Sequence, residues 1–258
     1  MTQPQPHRPN DSLVIIPTYN EAENVERLIE IVLAQGDFDA LIVDDHSPDG
    51  TGEIADALAE RHPNRVAVLH RAGKQGLGTA YRAGFGYALT RGYQRVFEMD
   101  ADFSHDPNAL PELRRALDHA DMVLGSRYVA GGATENWPLA RRLLSMGGSK
   151  YAALILGLPF HDLTGGFKGF RARVLKSLDL GAIQSNGYAF QIEVTYRAYR
   201  GGFRIVEHPI TFVDRRLGKS KMRPAIVVEA LRIVWALRFG PPAPALHEVV
   251  DAPEGASV

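Results

Sequence analysis

From residue 13 to residue 127, apolar runs and amphipathic stretches alternate along the chain. "LVIIP" at 13–17, "ALIVDD" at 40–45, "RVAVLH" at 65–70, "RVFEMD" at 95–100 and "DMVLGSR" at 121–127 are short and almost continuously apolar. That pattern marks strands buried on both faces. Between them lie stretches with helical spacing, at 20–36 and at about 51–61, 77–91 and 108–119. Asn20 and Glu23 fit a capping box for the first, Gly36 fits a stop, and Pro107 fits the start of the last. Strands separated by helices of this length predict parallel βαβ units with right-handed crossovers. The expected class is α/β, a mostly parallel sheet flanked by helices.

The second half is less regular. "TGGFKGFR" at 164–171, "FRIVEHPITFVDR" at 203–215 and the helical stretches between them predict an extension packed beside the first sheet. Residues 1–11 read as a disordered leader, 12–239 as one folded domain, and 240–258 as a disordered tail rich in proline and alanine. A net charge of −1 over 258 residues gives no basic footprint for nucleic acid. The chain has no cysteine, which excludes disulfides and thiolate metal sites and fits a reducing cytoplasm. The beginning, "MTQPQPHRPNDS", lacks the apolar core of a signal peptide. No run approaches the roughly 20 apolar residues of a membrane span.

Ligands of open parallel sheets bind outside the carboxyl ends of the strands. The unusual polar chemistry gathers at those ends: "PTYNE", "DDHSPDG", "RAGKQGLG", "DADFSHDP" and "SRY". Asp100 and Asp102 flank Ala101. In an extended segment both carboxylates would point the same way, toward one hard cation such as Mg²⁺ or Mn²⁺. Asp45 at a strand end suits ribose hydroxyls or base N–H groups, Tyr19 suits stacking on a base, and Glu21 suits accepting from it. Asp49 with Gly50 fits turn chemistry before a helix cap at Thr51 at least as well as it fits binding. "GKQGLG" at 73–78 lacks the spacing of a phosphate loop, so its glycines read as turn residues. His46, His105, His161 and His208 lack metal-ligand spacing and read as local hydrogen-bonding residues. Gln191 and Glu193 fit either the border of a sugar pocket or helix packing.

The ordered series "PTYNE", "VDDHSPDGT", "GLGTAYRAG", "MDADFSHDP", "GSRY", "TGGFKGF" and "FVDRRLGKSK" resembles the inverting family-2 glycosyltransferases, and within them the dolichol- or polyprenol-phosphate mannose synthases. The resemblance spans residues 12 to 222. It implies a GT-A fold (Rossmann-like, binding nucleotide-diphospho-sugars) and transfer of mannose from GDP-mannose to a polyprenyl monophosphate, giving a β-linked product. By motif, Pro17, Tyr19, Glu21, Val43 and Asp45 would hold the guanosine. Asp100 and Asp102 would bind the metal, with Ala101 against the nucleotide sugar. Arg127, Arg215 and Lys221 would engage phosphates, and Arg141 with Ser145 would receive the lipid phosphate. On this reading Asp102, Arg127 and Arg215 stand closest to the chemistry. Some relatives have glutamine, a further metal contact, where this chain has Ser104; that role stays unassigned.

An acceptor that is already anionic near neutral pH needs no dedicated general base. The basic segment "FVDRRLGKSKMR" predicts a loop that orders over the diphosphate. The stretches at 224–239 and 137–160 each fit either core packing or an interfacial helix on a membrane surface, and at least one is expected to face the membrane. The implied location is cytoplasmic, peripheral to the cytoplasmic face of a membrane, and a separate membrane-anchoring subunit stays open. Two other readings remain at this stage: a UDP-glucose-dependent glucosyltransferase for the same lipid class, and a non-catalytic nucleotide-sugar-binding module. A nucleotidyltransferase would need a triphosphate loop near the first strand, which is absent.

Overall fold

The computed structural model describes residues 10–183, 185–214 and 224–240, the side chains of 224–230 excepted. Five strands form where the apolar runs predict them: β1 (Ser12–Thr18), β2 (Phe38–Asp44), β3 (Val66–His70), β4 (Arg95–Glu98) and β5 (Met122–Ser126). Between them lie α1 (Val25–Ala34), α2 (Thr51–Arg61), α3 (Leu77–Thr90) and α4 (Leu110–Ala116). Along β1, Val14 and Ile16 enter one core layer with Leu28 and Val32 of α1 and Leu58 of α2. Leu13 and Ile15 enter the opposite layer with Tyr81 and Phe85 of α3. Both faces of β1 and β2 are buried, and the polar residues of the cleft gather at the strand ends.

β1 pairs in parallel with β2 on one side and with β4 on the other. The chain winds outward in both directions from that point, and the carboxyl ends of β1 and β4 open a crevice there. The second half departs from expectation. It does not pack beside the sheet but completes it with β7 (Lys168–Arg171) and β8 (Ile205–Pro209), in the order β3-β2-β1-β4-β7-β5-β8. β7 inserts antiparallel between β4 and β5, and β8 continues beyond β5. The close fit of β7 requires Gly169: a Cβ there would lie 2.7 Å from Phe97 Cε1 and 2.9 Å from Val123 Cγ1.

α6 (Ala172–Ser177) and α7 (Gly187–Arg200) cover the α3 side through Val174, Leu175, Phe190 and Val194. A second, two-stranded sheet pairs β6 (Ala133–Glu135) with β9 (Thr211–Val213). α5 (Leu139–Leu156) and α8 (Pro224–Phe239) form a smaller apolar cluster with α7 through Ala152, Leu156, Ile192 and Val234.

Two expectations at the amino-terminal side are corrected. Asn20 does not cap α1; it adopts a positive φ of 61° and donates its N–H to Ser47 Oγ at 3.1 Å. The helix begins after Asn24, with no side-chain cap bond. Asn10 and Asp11, assigned to a leader, are tied to the domain. Asn10 Nδ2 donates to Asp39 Oδ1, and Asp11 pairs with Arg95 and Arg114. Residues 1–9 and 241–258 lie outside the described residues, as does the basic segment 215–223 with Arg215 and Lys221.

Candidate active site

A cleft of about 360 Å³ opens at the carboxyl ends of β1, β2 and β4. Its wall includes Pro17, Tyr19, Glu21, Asp45, Asp100, Ala101, Asp102 and Arg141, all expected from the sequence. Register explains the gathering: Pro17 lies beside Val43 and Thr18 beside Asp44, so the loops after β1 and β2 leave the sheet at one level. Those loops are then stitched together. Glu21 N–H donates to Thr51 Oγ1 at 3.0 Å, and Ala22 N–H donates to Asp49 Oδ2 at 3.1 Å. Asp49 also accepts from Thr51 N–H and the Thr51 hydroxyl, so it ties the start of α2, whose N-cap is Gly50, to the β1 loop.

Asp45 is held from behind. Arg71 Nη1 donates to its carboxylate at 2.6 Å, and Arg71 is itself fixed by Thr79 and Gln75. Burial lifts the Asp45 carboxyl above its ordinary range despite the pull of Arg71. Beside it, Lys74 Nζ sits 3.9 Å from the centroid of the Tyr19 ring. Lys74 and Gly76 line the cleft, so the loop read only as turn glycines also contributes a cation to its wall.

Asp100 and Asp102 reach the cleft by a bend rather than by an extended segment. Asp102 Oδ1 accepts the Ser104 N–H at 3.0 Å, and Phe103 between them adopts a positive φ of 59°. Ser104, the position where some relatives have glutamine, is buried and spends its backbone groups on this turn and on Val213. The Asp100 N–H donates to His105 Nδ1 at 3.2 Å, which places the neutral ring's proton on Nε2. His105 is buried, stacked on Phe167 at 5.0 Å, and burial lowers its pKa. The Tyr81 hydroxyl lies 3.4 Å from Asp100 Oδ1, and burial pushes that phenol well above its ordinary value.

A buried polar network lies beneath. Glu98 and Lys168 are register partners on β4 and β7, both sealed in the core. Lys168 Nζ donates to the Gln191 carbonyl at 2.7 Å and to Thr195 Oγ1 at 2.9 Å. Gln191 Nε2 donates to Glu98 Oε2 at 2.9 Å. Burial pushes the Glu98 carboxyl up to about 8 and the Lys168 ammonium down to about 8. Gln191 lines the cleft; Glu193 does not, being bound to Ser185 and Arg197.

Three expected residues stand elsewhere. Val43 is fully buried in the core and does not line the cleft. Ser145 stays outside the wall, one turn of α5 beyond Arg141. Arg127 is 5% exposed, with Nε and Nη2 on the two oxygens of Asp162 at 2.6 and 2.7 Å. It bonds Thr164, a wall residue, at 3.0 Å, so it braces the cleft from behind instead of facing it. His161 and His208 hydrogen-bond locally as expected, to Glu207 and Glu112.

Among the described residues no group of three or more His, Cys, Asp or Glu side chains is arranged to hold a metal. The pair Asp100/Asp102 nevertheless fits a hard divalent cation that completes its shell with water and phosphate oxygens, since such ions take only one or two protein carboxylates. Both carboxylates share the wall with Tyr19, Asp45 and Lys74, in a cleft large enough for a small ligand.

Comparisons with known proteins agree with this geometry. The Glycosyl transferase family 2 profile matches residues 13–179. The chain is 49% identical over 231 residues to a polyprenol monophosphomannose synthase of Mycolicibacterium smegmatis, covering 88% of this chain and 87% of that one. It is 51% identical over 229 residues to an undecaprenyl-phosphate mannosyltransferase of Micrococcus luteus, covering 88% and 93%. Among solved structures, glucosyl-3-phosphoglycerate synthase from Mycobacterium tuberculosis, in complex with Mn²⁺, UDP and its product, matches with a TM-score of 0.65 at 18% identity, covering 91% of this chain and 82% of that one. A mannosyltransferase from Pyrobaculum calidifontis, in complex with GDP-Man and Mn²⁺, matches with a TM-score of 0.54 at 17% identity, covering 94% and 80%. The fold is GT-A, and the chain belongs to glycosyl transferase family 2.

Proposed function

We propose that this protein transfers mannose from GDP-mannose to a polyprenyl monophosphate, with inversion at the anomeric carbon. The observation that supports it most is the half-identity, over 88% of the chain, to two relatives named for joining mannose to polyprenyl phosphate. Tyr19, Glu21 and Asp45 border the guanosine, and Asp100 with Asp102 hold a divalent cation, magnesium or manganese. When bound, that cation neutralises the charge that grows on the departing diphosphate. Manganese accompanies the nucleotide in both solved relatives named above. Arg141 receives the acceptor's phosphate; Arg215 and Lys221, outside the described residues, are proposed to engage phosphates. A phosphate oxygen attacks C1 as the bond from C1 to the GDP oxygen breaks, and the electron pair leaves with GDP.

The acceptor's lipid points to the outer faces of α5 and α8. Leu139, Leu143 and Leu144 are exposed, with Leu154 at 81%, Trp235 at 51% and Phe239 at 67%. Arg142, Lys150, Arg232 and Arg238 are exposed on the same helices. Apolar anchors mixed with cations suit an anionic membrane interface. Among the described residues no helix is long and apolar enough to cross a membrane. These exposed anchors support a peripheral position on a membrane surface, for which we propose the cytoplasmic face. Flotation of the purified protein with anionic liposomes should weaken in Trp235→Glu and Leu154→Glu. Unchanged flotation would contradict direct docking, and no flotation of the wild type would point to a membrane-anchoring subunit.

The enzymatic reading is tested with radiolabelled GDP-mannose and UDP-glucose, each offered with polyprenyl phosphate. Label should move from GDP-mannose to lipid only when the acceptor is present. Transfer from UDP-glucose alone would overturn the sugar assignment, and donor binding without transfer would make the protein a binding module.

A further inference from the structure

Arg141 lines the cleft, yet in the structure it is already occupied by an anion from its own chain. Its Nη1 donates to Asp214 Oδ1 at 2.6 Å, and Asp214 lines the same cleft. Both partners are held in place from outside the pair. The Trp137 ring lies 4.1 Å from the guanidinium carbon of Arg141. Asp214 directly follows β9 and donates its N–H to the Glu135 carbonyl at 3.0 Å; one residue earlier, Val213 N–H bonds the Ser104 carbonyl of the Asp100–Asp102 turn. The Nε–H of Arg141 is buried and has no acceptor among the described residues. A guanidinium with a buried donor left over, stacked on an indole and facing the cleft, is set for an anion with more oxygens than one carboxylate supplies.

We infer that Asp214 is an internal stand-in for the acceptor's phosphate on Arg141, and that an acceptor enters by displacing it. This rests on the reading of Arg141 as the acceptor site. Displacement selects by charge. A phosphate monoester offers three oxygens and up to two negative charges, so it can outcompete one carboxylate. A neutral alcohol leaves the Arg141–Asp214 pair intact and gains nothing there. Asp214 thus sets the preference for a phosphate acceptor and keeps weaker anions off Arg141 between turnovers.

The pair is partly exposed, with side chains 21% and 27% accessible, so its removal should shift affinity without unfolding the domain. In Asp214→Asn the KM for polyprenyl phosphate should fall about two- to fivefold. Inhibition by inorganic phosphate should strengthen by a similar factor. An unchanged or higher acceptor KM, or unaltered inhibition by inorganic phosphate, would overturn the inference and make Asp214 a structural partner of Arg141. A second readout does not depend on turnover. Trp137 fluorescence, in a Trp235→Phe background, should respond to inorganic phosphate at lower concentration in Asp214→Asn than in the parent. That titration stands even if the mannose assay fails in the wild type, so the two readings fail separately. Loss of the difference between parent and Asp214→Asn would sink the displacement idea alone.

Discussion

The two walls of the cleft are built by different means. The wall to which we assign the nucleotide grows from the ends of β1, β2 and β4, whose side chains fill the core on both faces of the sheet. The wall to which we assign the acceptor hangs on α5, which carries exposed leucines, and on β6 and β9, strands of three residues each. The first inherits rigidity from hydrophobic packing. The second is braced from behind by the buried pair of Arg127 with Asp162, while Arg141 and Asp214 meet on its partly exposed face. The first wall rises from the sheet core and its loops are then tied by hydrogen bonds and by Arg71 on Asp45, while the second relies on the buried Arg127–Asp162 pair.

The largest expected effect breaks the acceptor side. Asp162→Ala leaves the Arg127 guanidinium buried without its carboxylate and should cost about 3–5 kcal/mol in denaturant unfolding. The same pair predicts an acid limit. Burial works against the charge of Asp162, but the hydrogen bonds and charge of Arg127 win and hold its carboxyl below the ordinary value. The pair's stabilisation is present above the unfolded-state pKa near 4 and is lost as pH falls through the lower folded value. Acid unfolding of the wild type should show that loss, and Asp162→Asn should flatten it.

On the nucleotide side the fold should survive while chemistry does not. Alanine at Asp100 or Asp102 should reduce transfer about 100- to 1000-fold, as expected when a group stabilising developing charge is removed. The unfolding midpoint should stay near that of the wild type; a large drop in stability would mean that the two walls are not built differently. The smallest effect comes from Lys74→Ala, which removes a cation from the nucleotide wall. The donor KM should rise about two- to fivefold with the acceptor KM unmoved, and a change in acceptor KM would blur the division.

The same contrast explains what could be read from the sequence. Strands β1 to β5 and helix α2 followed from periodicity because they bury whole faces locally. β7 could not: "KGFR" looks like a polar loop, and Lys168 enters the core only because Glu98, Gln191 and Thr195 converge on it from distant positions. Arg127 resembles a phosphate ligand until Asp162, 35 residues on, is seen to take its guanidinium. Asp100 and Asp102 were legible as a pair, although the bend that aims them was not, because Phe103 gives no hint of its positive φ. Lys74 was passed over because its loop matched no phosphate motif, and only the fold brings it over Tyr19.

The central claim is that transfer needs a divalent cation, which Asp100 and Asp102 would hold. Mannose transfer from GDP-mannose to polyprenyl phosphate, measured after exhaustive EDTA treatment and again after adding back Mn²⁺ or Mg²⁺, tests it directly. The account predicts no transfer in the chelated protein and recovery with metal in the wild type, with no recovery when both aspartates are alanine. Undiminished transfer in EDTA would contradict it.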